Sequence, residues 1–475
     1  MLKRAMAISM AFIGVIVGAG FASGQEALQY FVAFGNWGLA GVALTALLVL
    51  ITGVATLQLG SYFQANEHTA VFDEVSNPII SKILDWATIV TLFSIGFVMF
   101  AGGGSNIAQQ FPAVPIWVGA VVMLVLVLLV GLLDVDRVTT VIGLITPFII
   151  LFVLGTTIYT IATHDIDLSA MNDYASANVE SPLPSWWISS LNYTGLTVMT
   201  AVSMSIVIGG NFLDNRAVGL GGALGGVVFF VMMTLLVVAL YITAPQVMHA
   251  DMPVLELING INPALGYFMT FVIYGMVFNT AIGMFYALGK RLTRNNPKRF
   301  YPVYAASCII GFGLSFVGFK DLVALVYPIL GYLGILMITV LSAYWLKNLG
   351  PMRKETKRRL RARVLVQRRL DPRKRFTKKN ERELSKLAAA SNVDTGEFVA
   401  IVADEIHEEL EADADLDYDR EEPEPAVTYV QHTKPVAIES EPSDAPSSTD
   451  SNSVTAEDLD FGSPDNATGT SPVRH

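Results

Sequence analysis

The sequence predicts an all-α polytopic membrane protein with a soluble tail, and three observations support this fold class. Apolar runs of about 20 residues, the length that crosses about 30 Å of hydrocarbon, recur up to residue 347. Beyond residue 347 the chain is polar and rich in charge. Lysine and arginine fall mainly in alternate connections between the apolar runs, as the positive-inside rule requires.

Ten membrane spans are predicted within residues 1–346, which we interpret as one transmembrane domain. Their expected bounds are 5–33, 38–61, 84–108, 114–133, 138–162, 187–212, 218–243, 264–289, 301–319 and 322–346. On one side, the termini and connections carry Lys3, Arg4, Lys82, Arg137, Arg216, the cluster from Lys290 to Arg299, and the basic start of the tail. On the other side, loops 163–186 and 244–263 contain acidic residues but no lysine or arginine, and only Lys320 departs from this pattern. We therefore expect a multi-pass protein of the cytoplasmic membrane with both termini in the cytoplasm.

The residue types within the spans favour some function classes over others. A single cysteine, Cys308, excludes an intramolecular disulfide and a cysteine-based metal site. Lys3 and Arg4 before an apolar stretch also fit a cleaved signal peptide, but the stretch is too long for one and further spans follow. The spans contain no nucleotide-binding loop, no nucleophile–base pair and no metal-ligand set, so we do not expect an enzyme.

Weak internal likenesses suggest a five-plus-five inverted repeat, an arrangement found in many secondary transporters. Spans 1 and 6, 3 and 8, and 5 and 10 would then be paired. Pro147 in span 5 and Pro328 in span 10 lie at comparable positions. The glycines from Gly18 in span 1 resemble Gly209 and Gly210 in span 6.

A glycine-rich segment from Gly18 to Glu26 interrupts the first span. Lipid tolerates irregular backbone only where protein or a water-filled cavity satisfies the freed polar groups. Ser23 and Glu26 have the spacing of a capping box, which predicts that the helix restarts with Ser23 as its N-cap. Free carbonyls before the restart would bind a cation, and free N–H groups after it would bind a carboxylate. Tight helix packing through small residues is the alternative explanation.

The candidate site residues come from spans 1, 6 and 8. The predicted substrate-binding residues are Gly18, Ala19, Gly20, Phe21, Ser23, Gly24, Gln25, Glu26, Ser203, Ser205, Gly209 and Asn211. The predicted ligands of a coupling ion, either Na⁺ or H⁺, are Val17, Gly20, Glu26, Asn279 and Thr280. Glu26 is the only acidic residue deep within a predicted span, so it is the expected proton carrier, although it also fits a purely capping role. Each polar residue alone also fits an interhelical hydrogen bond. We expect no other cofactor.

The run from Phe12 to Glu26 resembles the N-terminal signature of the YkvI family of bacterial membrane proteins, relatives of the amino acid–polyamine–organocation superfamily. The resemblance covers residues 1–346. It implies the LeuT-type fold, with helices 1 and 6 broken at a central site. It also implies a cation site between carbonyls near Val17 and Gly20 and the pair Asn279–Thr280. That asparagine–threonine pair departs from the hydroxyl pair usual in sodium-coupled members.

The tail is expected to have two parts. Residues 347–410 form a basic juxtamembrane region, with short helices around Leu384, Leu387, Phe398 and Ile401. Its cluster from Lys357 to Lys379 is expected to attract anionic lipids, and membrane tethering argues against nucleic acid as a partner. Residues 411–475 are acidic and poor in apolar anchors, which predicts disorder, and they would fold back on the basic cluster as a screen.

The sequence thus favours a secondary active transporter for an amino acid or a related organic ion, working by alternating access and coupled to sodium or protons. A membrane sensor or scaffold that acts through its tail is the alternative, and a channel is a third. The sequence leaves the substrate and the oligomeric state open.

Overall fold

The computed structural model describes residues 2–132, 145–164, 167–294, 296–393 and 395–411, together with residues 413, 416 and 418. All regular structure among these residues is helical. The chain forms two compact units, Met1–Thr356 and Lys357–His475. In the first unit, the helices up to the middle of the domain are α1 (Leu2–Ile16), α2 (Ala19–Ser23), α3 (Gln25–Tyr30), α4 (Asn36–Phe63), α5 (His68–Val75), α6 (Pro78–Gln110), α7 (Ile116–Val130), α8 (Ile145–Thr163) and α9 (Leu168–Asn178).

The remaining helices of the first unit follow α9 in chain order. They are α10 (Trp186–Gly210), α11 (Asn215–Ile242), α12 (Ala244–Val247), α13 (Pro253–Ile261), α14 (Pro263–Leu292), α15 (Phe300–Leu314) and α16 (Phe319–Lys347). Helix α17 (Leu349–Leu370) begins in the first unit and ends in the second, which also contains α18 (Lys378–Ala389) and α19 (Thr395–Glu411).

The predicted all-α membrane fold is confirmed. Seven of the described helical segments are long and apolar enough to cross a membrane, and α15 reaches this length together with the 3₁₀ turns at its two ends, as Pro297–Val317. The other predicted spans correspond to the interrupted series α1–α3 and to the shorter helices α7 and α8. Residues 138–144, the expected start of span 5, lie outside the described residues. The short helices α5, α9, α12 and α13, which lie in the connections, were not predicted.

The helix contacts agree with the predicted five-plus-five repeat, because equivalent helices of the two halves make equivalent contacts. Helix α4 packs on α10, and their counterparts α11 and α1 pack on each other. In the same way α6 contacts α7 as α14 contacts α15. The paired spans 3 and 8 also begin alike, because Asn77 and Asn262 each cap their helix with the side chain immediately before a proline. The two halves are therefore built and capped by the same local rules.

Side-chain contacts divide the ends of the helices into two groups. At one end, which we call the basic end, Arg291 pairs with Asp85, and Arg294 pairs with Glu67 at 2.7 Å. At the other end, which we call the acidic end, Gln109 donates to Glu256 at 3.2 Å. This division follows the alternation of the predicted spans.

Asn192 ties three helices together near the middle of the bundle. Its amide Nδ2 donates to the carbonyl of Pro328 in α16 at 2.8 Å, and its Oδ1 accepts from the hydroxyl of Tyr30 in α3 at 3.3 Å. Asn192→Ala leaves both partners unpaired, so we expect the free energy of unfolding to fall by about 1–2 kcal/mol. Thermal unfolding in detergent measures this, with the exposed Asn178→Ala as control. Equal melting temperatures for the two variants would contradict the predicted role.

Helix α5, the counterpart of α13, carries a half-buried histidine in the connection between α4 and α6. Burial, aided by nearby Arg291, lowers the pKa of His68 to about 4 from 6.5. The folded state therefore favours neutral His68, and this contribution to stability is present above pH 6.5 and is lost as the pH falls toward 4. We expect His68→Asn to show a smaller drop in melting temperature between pH 7 and pH 5 than the wild type. If the melting temperature drops equally between pH 7 and pH 5 in His68→Asn and in the exposed control His164→Asn, the prediction is contradicted.

The second unit places basic and acidic residues together. Arg361 pairs with Glu383 at 2.6 Å, and Arg363 pairs with Glu405 at 3.5 Å and also with Glu409. Beyond residue 411, only residues 413, 416 and 418 are described, so the predicted disorder of 411–475 lies outside the described residues almost entirely.

Candidate functional site: a cavity below the broken first helix

The first span is broken where the glycines predicted it. Helix α1 ends at Ile16, and α2 begins at Ala19 after an extended Gly18. Helix α2 ends at Ser23, and its C-cap Gly24 has a left-handed φ of 78°, which costs little only for glycine. Helix α3 then begins at Gln25. The chain therefore passes the middle of the bundle as two short helical pieces.

The predicted capping box does not form, so the expectation that Ser23 is the N-cap is wrong. Ser23 remains in α2, and the left-handed Gly24 makes the turn instead. The Ser23 hydroxyl donates to the carbonyl of Gly20 at 2.9 Å and accepts from the N–H of Gln25 at 3.2 Å. Glu26 is consequently free of a capping role, and its carboxylate turns back toward Gly20.

The expected break in helix 6 is also wrong. Helix α10 is continuous from Trp186 to Gly210, and Asn211 is its C-cap. Gly209 serves close packing, because a Cβ built there would lie 2.0 Å from the carbonyl oxygen of Leu57. The glycines of span 6 therefore bring α10 against α4, and they do not open the helix.

A cavity of about 490 Å³ lies below the break in the first span. It extends from Phe21 and Glu26 toward the basic end, where Ser203 of α10 and Ala287 of α14 line it. On the acidic side of the break, Val254 of α13 packs against Gly24. At the basic end the lining residues Met204, Gly283 and Ala287 are exposed, so the cavity has access from this end.

Glu26 lies at the inner end of this cavity among aromatic side chains. A Cβ built on Gly20 would lie 1.6 Å from Glu26 Oε1, so the carboxylate lies directly against the bare backbone of α2. The hydroxyl of Tyr193 is within hydrogen-bonding reach of the carboxylate. Tyr193 and Tyr327 also line the cavity, and the ring centroids of Tyr30 and Tyr193 are 5.3 Å apart.

The structure brings together only part of the predicted site. The predicted residues that line the cavity are Gly18, Ala19, Gly20, Phe21, Glu26, Ser203, Asn279 and Thr280. Those that lie elsewhere are Val17, Ser23, Gly24, Gln25, Ser205, Gly209 and Asn211. Gln25 faces a separate pocket on the acidic side, and Ser205 lies on the face of α10 that packs toward α4.

Several cavity residues were not predicted. Tyr193, Thr197 and Thr200 lie on one face of α10, and Tyr327 lies on α16 beside Pro328. Tyr193 and Tyr327 could have been found from the sequence, because a tyrosine in the middle of a span has a buried hydroxyl that needs a hydrogen-bond partner. The remaining wall is rich in methionine, including Met99, Met199 and Met276, and this type of residue carries no sequence signal for a site.

The oxygen atoms predicted to bind a cation differ in availability. The Gly20 carbonyl accepts from both Ser23 Oγ and the N–H of Gly24, so both of its lone pairs have partners. Thr280 donates its hydroxyl to the carbonyl of Met276 at 3.0 Å and keeps its oxygen lone pairs for a ligand. Asn279 and Thr280 face the same cavity as Glu26.

No protein-family model matches the chain. It is 22% identical over 334 residues to the membrane protein YkvI of Bacillus subtilis (strain 168), covering 70% of this chain and 94% of YkvI. The predicted resemblance to YkvI is confirmed. The protein YyaD of the same strain is 25% identical over 349 residues, which cover 72% of this chain and 98% of YyaD.

Solved structures resemble the chain in fold. MhsT in complex with L-phenylalanine matches with a TM-score of 0.50 and 9% identity, over 84% of this chain and 96% of MhsT. Mhp1 in an inward-facing conformation matches with a TM-score of 0.48 and 12% identity, over 86% of this chain and 90% of Mhp1. The likeness to MhsT shows that this chain has the LeuT-type fold.

Proposed function

We propose that the protein is a secondary active transporter that moves a small organic solute across the cytoplasmic membrane by alternating access. The cavity of about 490 Å³ that ends at the broken first helix is the observation that carries this proposal. Its volume is within the range of small-molecule sites, about 300–1,000 Å³. MhsT, which has this fold, binds L-phenylalanine, so an amino acid or a related organic ion is the proposed substrate. Transport changes no covalent bond, and we propose no enzymatic activity.

The orientation of the cavity is part of the proposal. The basic end, with Lys82, Arg216 and Lys290, is the cytoplasmic end by the positive-inside rule, and both termini then lie in the cytoplasm. A cavity with access from the basic end, and with α13 packed against the break on the other side, corresponds to an inward-open state.

Two coupling ions are compatible with the cavity. A proton would be carried by Glu26, a membrane-embedded carboxyl that faces the cavity. Sodium would use Asn279 and Thr280 of the cavity wall, with carbonyls of the break near Gly20 and near Val17, which lies outside the cavity lining. Of these two carbonyls, that of Gly20 already accepts two hydrogen bonds, which favours the proton.

Ligand screening followed by flux measurement tests the proposed function. A thermal-shift screen of amino acids and amines, with and without sodium and across pH, identifies ligands because binding raises the melting temperature. In proteoliposomes we expect saturable accumulation of the bound solute that requires an imposed sodium or proton gradient. Ligand binding without flux, together with tail-dependent partner binding, would instead indicate a sensor. Flux that neither saturates nor needs a gradient would indicate a channel.

We also propose that the basic region Lys357–Lys379 binds anionic lipid. The pairing of Arg361 and Arg363 with glutamates neutralises part of its charge, so the attraction is weaker than the sequence alone implies. Replacing Lys374, Arg375 and Lys379 with glutamine is expected to lower the anionic lipid fraction that copurifies with the full chain. An unchanged lipid fraction would contradict this role.

A further inference from the structure

Glu26 is the only charged side chain among the described residues that line the cavity. The titratable groups that face it are tyrosines from three elements: Tyr30 of α3, Tyr193 of α10 and Tyr327 of α16. Neutral tyrosines donate hydrogen bonds but do not balance a negative charge. The described lining contains no lysine, arginine or histidine.

The position of the carboxylate determines the charge of the ligand. Glu26 lies in the first turn of α3 and against Gly20, at the place where the backbone of the restarting helix would meet a ligand. A solute carboxylate at this place would meet a like charge with no cation to offset it. An ammonium group would form a charge-assisted hydrogen bond with Glu26.

When no ammonium group is bound, the charge of the Glu26 carboxylate must be neutralised by something else. A carboxylate within a membrane domain carries a large desolvation penalty unless it is protonated or paired. Proton and ammonium group would both occupy the Glu26 oxygens, and the two therefore exclude each other.

The rest of the wall suits an apolar body. Among the described residues, five methionines line the cavity: Met99, Met199, Met204, Met276 and Met284. Methionine is flexible and polarisable, so such a wall adapts to aliphatic or aromatic groups of different shape.

Building on the proposed transport function, we infer that the cavity takes an organic monocation, an amine with an apolar body, in exchange for a proton. When the amine enters as its ammonium ion, the Glu26 carboxyl releases its proton to the water at the basic end of the cavity. The ammonium then pairs with the carboxylate, and its departure allows reprotonation. One proton is exchanged for each monocation, so the exchange moves no net charge.

Three probes with the same aromatic body separate the ligand classes: 2-phenylethylamine, L-phenylalanine and 3-phenylpropionate. With the full-length protein in detergent, between pH 5 and pH 8, we expect the amine to raise the melting temperature more than either other probe. We expect it to release up to one proton per bound amine into weakly buffered solution. In the acidic range where the carboxyl is protonated, the apparent affinity for the amine should fall about tenfold for each unit by which the pH is lowered. Glu26→Gln should lose at least tenfold in affinity and abolish the release, while exposed Glu74→Gln should match the wild type.

The outcomes distinguish this inference from the proposed function. Preferential binding of the zwitterion or the anion, amine binding without proton release in the wild type, or no binding of any probe would overturn the inference. Gradient-driven flux of another solute would then leave the transporter proposal intact. Amine binding with proton release but no flux in proteoliposomes would support the site and reject transport.

Discussion

Replacing Glu26 with glutamine is expected to lower proton-gradient-driven transport by about 10- to 150-fold, the range that corresponds to losing a charged hydrogen bond of about 1.5–3 kcal/mol. Glutamine keeps the size of the side chain but neither carries a proton nor pairs with a cation. The measurement is the initial rate of solute uptake into proteoliposomes under an imposed pH gradient.

The control for this variant is Glu74→Gln, the same chemical change at an exposed site on α5. We expect wild-type uptake from the control. If Glu26→Gln still concentrates solute by means of a proton gradient, Glu26 is not the proton carrier, and the sodium ligands Asn279 and Thr280 become the better account of coupling.

Replacing Gly20 with alanine is the second prediction with a large effect. The added methyl would lie 1.6 Å from Glu26 Oε1 and 2.1 Å from its carboxyl carbon, so the carboxylate must leave its place beside Tyr193. Moving the carboxylate away removes its charged hydrogen bond with the ligand, about 1.5–3 kcal/mol, which corresponds to a loss of about 10- to 150-fold in ligand affinity. Equilibrium binding of the ligand found by thermal shift measures the loss.

Gly313→Ala is the matched control for this variant. Gly313 lies on an exposed face of α15, and a Cβ there has no atom within 4 Å. Both variants add one methyl to a membrane helix, so a difference in ligand affinity between them is specific to the site beside Glu26. Unaltered affinity in Gly20→Ala would mean that Glu26 does not contact the ligand.

Much of the fold was predictable because the bilayer imposes simple rules on sequence. Span length and the alternation of basic connections are read directly from residue type, and the described helices follow them. The break at Gly18 was predictable for the same reason, since glycine-rich backbone beside a carboxylate has few uses in lipid. The exact turn was not, because Gly24 in a left-handed conformation makes the turn in place of the Ser23 cap, and neighbouring serine and glycine are both common at helix ends.

Helix 6 shows where local sequence gives no answer. Gly209 and Gly210 have the same pattern as the glycines of the first span, yet they pack against backbone carbonyls of Leu57 and Ala65. A break and a close helix contact both require small residues, and only the position of the neighbouring helix distinguishes them. Tyr193 and Tyr327 reach the cavity through tertiary packing, so spacing along the chain did not reveal them.

Labelling of Ser203→Cys by a membrane-impermeant maleimide tests the central claim, that the cavity below the first-helix break is the transport path. Background is expected to be low, because Cys308 is the only native cysteine and is fully buried. We expect reaction from the cytoplasmic side in the absence of a gradient, and slower reaction when bound solute fills the cavity. Reaction only from the opposite side, or a rate that solute does not change, would contradict the account.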